Sequence, residues 1–228
     1  VPGVDSLWQV KGNRVLSEKN DVVLEWNNGK GLIFKKTIKL DKKYLFKIKQ
    51  EVKNNTSSKI NLYPYSQITR NKKPDDVMGF YILHEGFIGV FDGELKEDDY
   101  DDIKDKKIVR NSDNGWLGIT DKYWVTAIVP PKDKNFKSTF LYKDNFRANY
   151  ILNSPVTINP KSTSDNEVRL FVAAKEVETV DGYAESENIE KFDLTIDWGW
   201  FYFFTKPLFF VIDYLFKLSG NFGIAIVL

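Results

Sequence analysis

From Leu7 to about Lys175 the apolar positions recur every second residue, a spacing that predicts strands with one buried face. Over 31–40, Leu32, Phe34, Ile38 and Leu40 share one face, while Lys35, Thr37 and Lys39 share the other. Over 44–53, Tyr44, Phe46, Ile48 and Val52 alternate with Lys47, Lys49, Glu51 and Lys53. Asp41-Lys42-Lys43 between these runs predicts a hairpin. The polar turn Asn54-Asn55-Thr56-Ser57-Ser58 leads into a strand over 59–70, and further strands are predicted over 79–91, 116–129, 136–143, 146–158 and 167–175. Turn residues separate them at Asn71 to Pro74, Asp113-Asn114-Gly115, Pro130 to Asp133 and Asn153-Ser154-Pro155. So many strands without intervening helices predict an all-β fold of two sheets packed face to face. The mixed-charge segment 176–190 predicts a short helix.

After Lys191 the pattern changes. Residues 192–220 form a dense aromatic block, and 221–228 are almost wholly apolar. The expectation is a water-soluble domain that runs down onto a membrane, with a transmembrane helix starting near Asn221. Thr205 is the expected helix cap, Lys206 and Pro207 the first turn, and Gly220 the stop. At about 100° per residue Lys206, Asp213 and Lys217 fall within a narrow arc, and nearly everything else around the helix is apolar. Three charges in so short a segment argue against a span, which needs about 20 mostly apolar residues. They favour a helix lying in the membrane interface, polar stripe towards water, with Trp198 and Trp200 at headgroup depth. The residues expected at that interface are Trp198, Trp200, Phe201, Phe204, Lys206, Leu208, Phe209, Ile212, Leu215 and Phe216. The competing expectation is a helix docked on the sandwich or on another part of the same protein.

Composition narrows the function. The 228 residues are 42% hydrophobic and 29% charged, with a net charge of +1, enough for one sizeable core. Near-neutral charge argues against nucleic acid as a partner. The absence of cysteine excludes disulfides, thiolate nucleophiles and cysteine-held metals. Val1-Pro2-Gly3 is neither a start nor a signal peptide, so further sequence is expected upstream. His84 is the single histidine, too few for a His-rich metal site. The acidic run Glu97-Asp98-Asp99-Tyr100-Asp101-Asp102 lacks the ligand spacing of a calcium loop and predicts a solvated loop. Asn54 and Asn55 fit a glycosylation pattern, and Asn28-Gly29-Lys30-Gly31 predicts a hairpin turn, not a phosphate cradle. Tyr63, Tyr65, Tyr123 and Trp124 suit a sugar-stacking surface and a sandwich core equally. Chemistry alone favours a binding or scaffolding module, with no cofactor and no catalytic residue.

Several segments carry a family resemblance. Trp26 to Leu32, Leu62 to Arg70, Tyr81 to Gly86, Gly115 to Trp124 and Leu170 to Val177 resemble the large periplasmic domain of the YidC/Oxa/Alb family of membrane protein insertases. Asp197-Trp198-Gly199-Trp200-Phe201, Lys206-Pro207-Leu208 and Gly220 to Gly223 are similar to the stretch joining that domain to the second membrane helix. The resemblance implies a β-supersandwich of the galactose-mutarotase-like type over 1–191, a membrane-interfacial linker and amphipathic helix over 192–220, and the start of a transmembrane helix over 221–228. It implies the bacterial inner membrane as location, with this domain in the periplasm. The implied partners are the lipid bilayer, Sec translocon components and nascent membrane proteins, and the implied activity is insertion and folding without nucleotide or metal. The family's insertion groove lies among membrane helices outside this chain, so the resemblance carries over no insertase active residue. Two other classes compete: an aldose-epimerase-like enzyme, whose histidine and glutamate chemistry a single histidine serves poorly, and a carbohydrate-binding sandwich, which has no need of the aromatic tail.

Overall fold

The computed structural model describes residues 1–75, 83–199 and 201–228. The first half of the described chain supplies β1 (Gln9–Lys11), β2 (Val22–Asn27), β3 (Leu32–Leu40), β4 (Leu45–Asn54), β5 (Ile60–Leu62), β6 (Tyr65–Arg70), β7 (Gly86–Phe91), β8 (Glu94–Asp98) and α1 (Tyr100–Asp105). The second half supplies β9 (Ile108–Ser112), β10 (Gly115–Thr120), β11 (Trp124–Val129), β12 (Phe136–Lys143), β13 (Asn145–Leu152), β14 (Val156–Ile158) and β15 (Thr163–Ala174). The helices α2 (Val177–Ser186), α3 (Tyr202–Ser219) and α4 (Phe222–Val227) follow, with a 3-10 turn at Phe192–Thr195 ahead of α3.

Nine strands form one antiparallel sheet in the order β1-β2-β3-β4-β15-β11-β10-β7-β8. Four more form a second sheet, β6-β13-β12-β9, and β14 pairs with β5. The second sheet and α1 cover one face of the large sheet. Phe87, Phe91, Leu117, Ile119 and Ile128 meet Phe136, Phe140, Phe146 and Tyr150 there, with Tyr100 and Ile103 of α1 closing the side. The other face is covered by the end of the chain: Ile88, Val90, Trp116, Val125 and Phe171 pack on Val180, Tyr183, Ile189 and Phe192. Strands β7 and β10 are therefore buried on both faces, which is why they read as continuous apolar runs. Their neighbours approach closely at Gly118, where a Cβ would sit 2.2 Å from the Thr126 carbonyl oxygen.

The two-sheet, all-β expectation matches this architecture, and so do the predicted turns. Asp41 accepts hydrogen bonds from the Lys43 and Leu45 amides, both at 2.9 Å, and Tyr44 takes a left-handed φ of 66°. The Asn28 side chain closes the next hairpin on the Lys30 and Leu32 amides.

Several boundaries differ. The run 116–129 is two strands, β10 and β11, because the Asp121 amide donates to the Trp124 carbonyl at 2.8 Å and closes a hairpin. The run 146–158 divides into β13 and β14 at Asn153-Ser154-Pro155, and 59–70 divides into β5 and β6 at Tyr63-Pro64. Of the strand predicted over 79–91, only β7 falls among the described residues; residues 76–82 lie outside them, with Tyr81 and Ile82 of the family motif. The acidic run is not a solvated loop. It ends β8 and begins α1, and Asp98 is buried and held by Arg110 through two bonds of 2.7 and 2.9 Å. Asn54 is also no glycan site: it is fully buried, with its amide bonded to the Ser58 and Ile158 carbonyls. Tyr63, Tyr65, Tyr123 and Trp124 are exposed, not core.

Candidate membrane-facing site

The aromatic tail is rooted in the sandwich before it leaves it. Phe192, fully buried, makes edge contacts with Trp116 and Phe171 at centroid distances of 5.4 Å, and the Trp116 indole donates to the Glu190 carbonyl. Asp197 then fixes the exit. Its carboxylate accepts from the His84 amide at 3.0 Å and from the Gly199 amide at 2.8 Å. Gly199 has a φ of 71°, which an L residue adopts at a cost.

Helix α3 begins at Tyr202, a turn earlier than the expected Thr205 cap. Thr205 lies inside it. Its hydroxyl donates to the Trp198 carbonyl ahead of the helix at 2.8 Å and reaches the Phe201 carbonyl one turn back at 3.3 Å, the back-bond of a helical threonine. Pro207 consequently sits beyond the first turn and leaves the Phe203 carbonyl without its usual intrahelical donor. The end is as expected: Gly220 is left-handed, and its amide donates to the Phe216 carbonyl at 2.8 Å. Asn221 caps α4 through the Gly223 and Ile224 amides. Among the described residues no helix is long and apolar enough to cross a membrane.

The charged stripe of α3 reaches towards α2, part-buried at Lys206 and exposed at Lys217. Lys206 bridges Asp181 of α2 and Asp193 of the 3-10 turn, both at 3.0 Å. Lys217 bridges Glu178 of α2 and Asp213 of its own helix, both at 2.7 Å. Glu178 and Asp181, three apart on α2, share a face of that helix, and Lys206 and Lys217, eleven apart, share a face of α3. Burial alone would lower the Lys206 ammonium, but its two carboxylates outweigh that and hold it above the ordinary lysine value. Lys217 is likewise raised by its hydrogen bonds to Asp213 and Glu178.

The rest of α3 is uncovered. Phe201, Phe204 and Leu208 are exposed, as are Tyr202, Phe203, Val211, Tyr214 and Leu218, and no residue of the helix is buried. Ile212 and Leu215 are half-buried, and Phe216 meets Phe222 of α4 edge-on at 5.9 Å. Trp198 is half-buried rather than free: Phe209 meets its ring edge-on at 5.6 Å, and Lys206 lies 5.8 Å above it. Trp200 lies outside the described residues. The sequence posed an interfacial helix and a docked helix as alternatives, yet the structure docks α3 by its charged stripe and leaves its apolar face open. An uncovered run of large apolar side chains this long is unusual on a water-facing surface. Glu178, Asp181 and Asp193 were not anticipated as part of the site. Their signal was the acidic spacing on 176–190, which acquires meaning only once the lysines of α3 reach across to α2.

The family profile described as the YidC periplasmic domain matches residues 1–211, nearly the whole chain. The chain belongs to the YidC periplasmic-domain family. The match runs from the sandwich into α3, as far as Phe204, Lys206, Leu208 and Phe209. Relatives named membrane protein insertase YidC include one from Pelagibacter ubique, 50% identical over all of this chain and 40% of its own length. Another, from Brucella suis, is 42% identical over all of this chain and 38% of its own length. The chain thus spans about two fifths of the length of these curated relatives. Among solved structures the sandwich resembles a galactose mutarotase related enzyme from Lactobacillus acidophilus, with a TM-score of 0.51 at 10% identity over 72% of this chain and 70% of that one. It also resembles the α-galactosidase AgaB from Geobacillus stearothermophilus, with a TM-score of 0.53 at 9% identity over 76% of this chain and 29% of that one. At these identities the likeness concerns the fold, and the galactose-mutarotase-like sandwich expected from the sequence is the fold found.

Proposed function

We propose that this chain is the periplasmic part of an inner-membrane protein insertase and chaperone, and that it serves as the membrane-seated scaffold on which partners dock. The observation that carries this reading is α3. Its charges are consumed by the sandwich, and its apolar face is left for a bilayer. Trp198, Trp200, Phe201, Phe204, Lys206, Leu208, Phe209, Ile212, Leu215 and Phe216 form the interfacial set, with Lys206 as the clasp to the sandwich. Residues 1–191 are the sandwich, 192–220 the interfacial connection and 221–228 the beginning of a membrane segment. The names of the relatives support nascent membrane proteins as clients. Sec translocon components are the partners suited to a module held at that surface, and the near-neutral charge supports no role with nucleic acid.

Complementation of an insertase-depleted strain by the full-length protein tests the division of labour. Leu208→Glu, which forces a charge towards hydrocarbon at about 2–3 kcal/mol, should impair growth at equal expression. Neutralising the exposed Asp101 and Asp102 should leave growth unchanged. The reverse result would place the essential contact on the sandwich.

A further inference from the structure

A cleft of about 410 Å³ lies between the β3–β4 hairpin and the start of α2, where β15 ends. Its floor is Val172, Ala173 and Ala174. The flanks are aromatic. The Val172 amide donates to the Tyr44 carbonyl at 3.4 Å, and Ala174 pairs with Trp124 of β11, so the two aromatic residues stand on either side of β15. Two strand spacings separate them, on the order of 10 Å. Tyr44 and Trp124 are 59% and 60% exposed, so neither ring serves the core.

Charges of both signs complete the cleft. Lys42 and Lys43 line it from the hairpin, and Glu176 lines it from the N-cap of α2. All three are exposed, and none makes an ion pair among the described residues. Glu176 accepts from the Thr179 hydroxyl at 3.1 Å, which leaves its other lone pairs free. The hairpin is tied to the helix. Asp41 accepts from the Lys43 and Leu45 amides and from the Tyr183 hydroxyl of α2, at 2.6 and 2.8 Å in the last case. Cations and carboxylate are thereby held at a set separation. A simple anion would meet Glu176 and a simple cation would meet the lysines, so the cleft complements a zwitterion. Its position suggests the source. Thr179 lines the cleft, and the neighbouring Glu178 holds Lys217 of α3 at 2.7 Å, so the cleft opens beside the helix whose apolar face is uncovered.

We propose that this cleft is a lipid-headgroup site, which takes the phosphoethanolamine group of a phospholipid. Lys42 and Lys43 receive the phosphate, and Glu176 accepts charge-assisted hydrogen bonds from the ammonium. Tyr44 and Trp124 add cation–π attraction, which reaches about 6 Å from a ring centroid. A primary ammonium donates to Glu176 where a quaternary one has no N–H to give. The site provides a second footing beside α3 and makes the hold on the membrane depend on lipid class. The inference rests on the bilayer-facing reading of α3 for the source of the lipid, while the cleft is built from other residues.

The test uses the whole chain, first with free headgroups and amide chemical shifts. Glycerophosphoethanolamine, which has no acyl chain to engage α3, should move the amides of Lys42 to Tyr44 and Ala173 to Thr179 saturably. Glycerophosphoglycerol, which lacks the ammonium, should bind about tenfold more weakly, a comparison that needs no variant to fold. Lys42→Ala with Lys43→Ala, and separately Glu176→Gln, should each weaken binding by a similar factor. Co-sedimentation then compares phosphatidylcholine vesicles with and without phosphatidylethanolamine. The parent should prefer vesicles that contain it, and the double lysine variant should lose that preference while binding phosphatidylcholine like the parent. No saturable shift in those amides, equal affinity for both headgroups, or variants that bind as the parent does would overturn the proposal. A chain that binds both vesicles alike keeps α3 as its footing and also overturns it. A chain that binds only the vesicles with phosphatidylethanolamine supports the cleft and contradicts the reading of α3.

Discussion

Arg110 grips the Asp98 carboxylate with both terminal nitrogens while its guanidinium lies over the Phe91 and Phe140 rings at 5.5 and 5.7 Å. Arg110→Ala strands a buried carboxylate and should cost about 2–3 kcal/mol in urea unfolding. Neutralising Asp101 and Asp102, both on the exposed side of α1, should change stability by less than about 0.5 kcal/mol. His84 is committed in a similar way. Its Nε2 is 2.9 Å from the Phe87 carbonyl, its Nδ1 is 3.7 Å from Asp99, and its amide holds Asp197. A ring already engaged with the backbone is poorly placed for proton transfer at a sugar, so polarimetry on fresh glucose or galactose should show no protein-dependent mutarotation. A rate abolished by His84→Ala would reverse that expectation. At this scale the sequence was least legible. Asp98 and Asp101 look alike within one acidic run, and only the pairing of β8 with β7 and the return of β9 bury the first of them. Asn54 matched a short pattern whose surface requirement its burial denies.

The elements were more legible, because alternation on β3, β4 and β12 follows from one-sided burial and the helical period of α3 gathers its three charges on one side. What escaped was divided or short. A hairpin at Asp121 and a break at Pro155 cut long apolar runs whose two halves look continuous, and β1, β8 and β9 are too brief to show a period. The docking of α3 on α2 is likewise a property of two elements and is written in neither alone. It yields a prediction at this scale. Lys206 is only partly shielded, so each of its pairs is worth about 1 kcal/mol or less. Lys206→Ala together with Lys217→Ala should nevertheless free the helix, seen as faster amide exchange in α3 with exchange in β10 and β15 unchanged. The pH dependence follows from the raised Lys206 pKa. A lysine whose folded value exceeds its unfolded one contributes in full below about 10.4 and loses that contribution as pH climbs through the raised value. The α3 clasp should therefore hold across neutral pH and, on the alkaline side, loosen only in strong alkali. Loosening near neutrality would mean that some other group controls it.

At the scale of the whole molecule the distinctive surface is a helix fastened by its charges with its apolar side outward. Fastening the charges to the sandwich gives the helix a fixed azimuth, so its apolar face points one way before any lipid is met. Fully burying a large apolar side chain is worth about 1.5–3 kcal/mol, so on the proposed reading several of them partly buried at interfacial depth should hold a domain this size at a bilayer. The most direct test is co-sedimentation of the chain with vesicles, with tryptophan emission recorded on the same samples. The chain should pellet with the vesicles and its emission should shift to the blue, while Phe204→Glu with Leu208→Glu should leave a protein of equal melting temperature in the supernatant. A parent chain that stays in the supernatant with unchanged emission, or a double variant that pellets as well as the parent, would contradict the account.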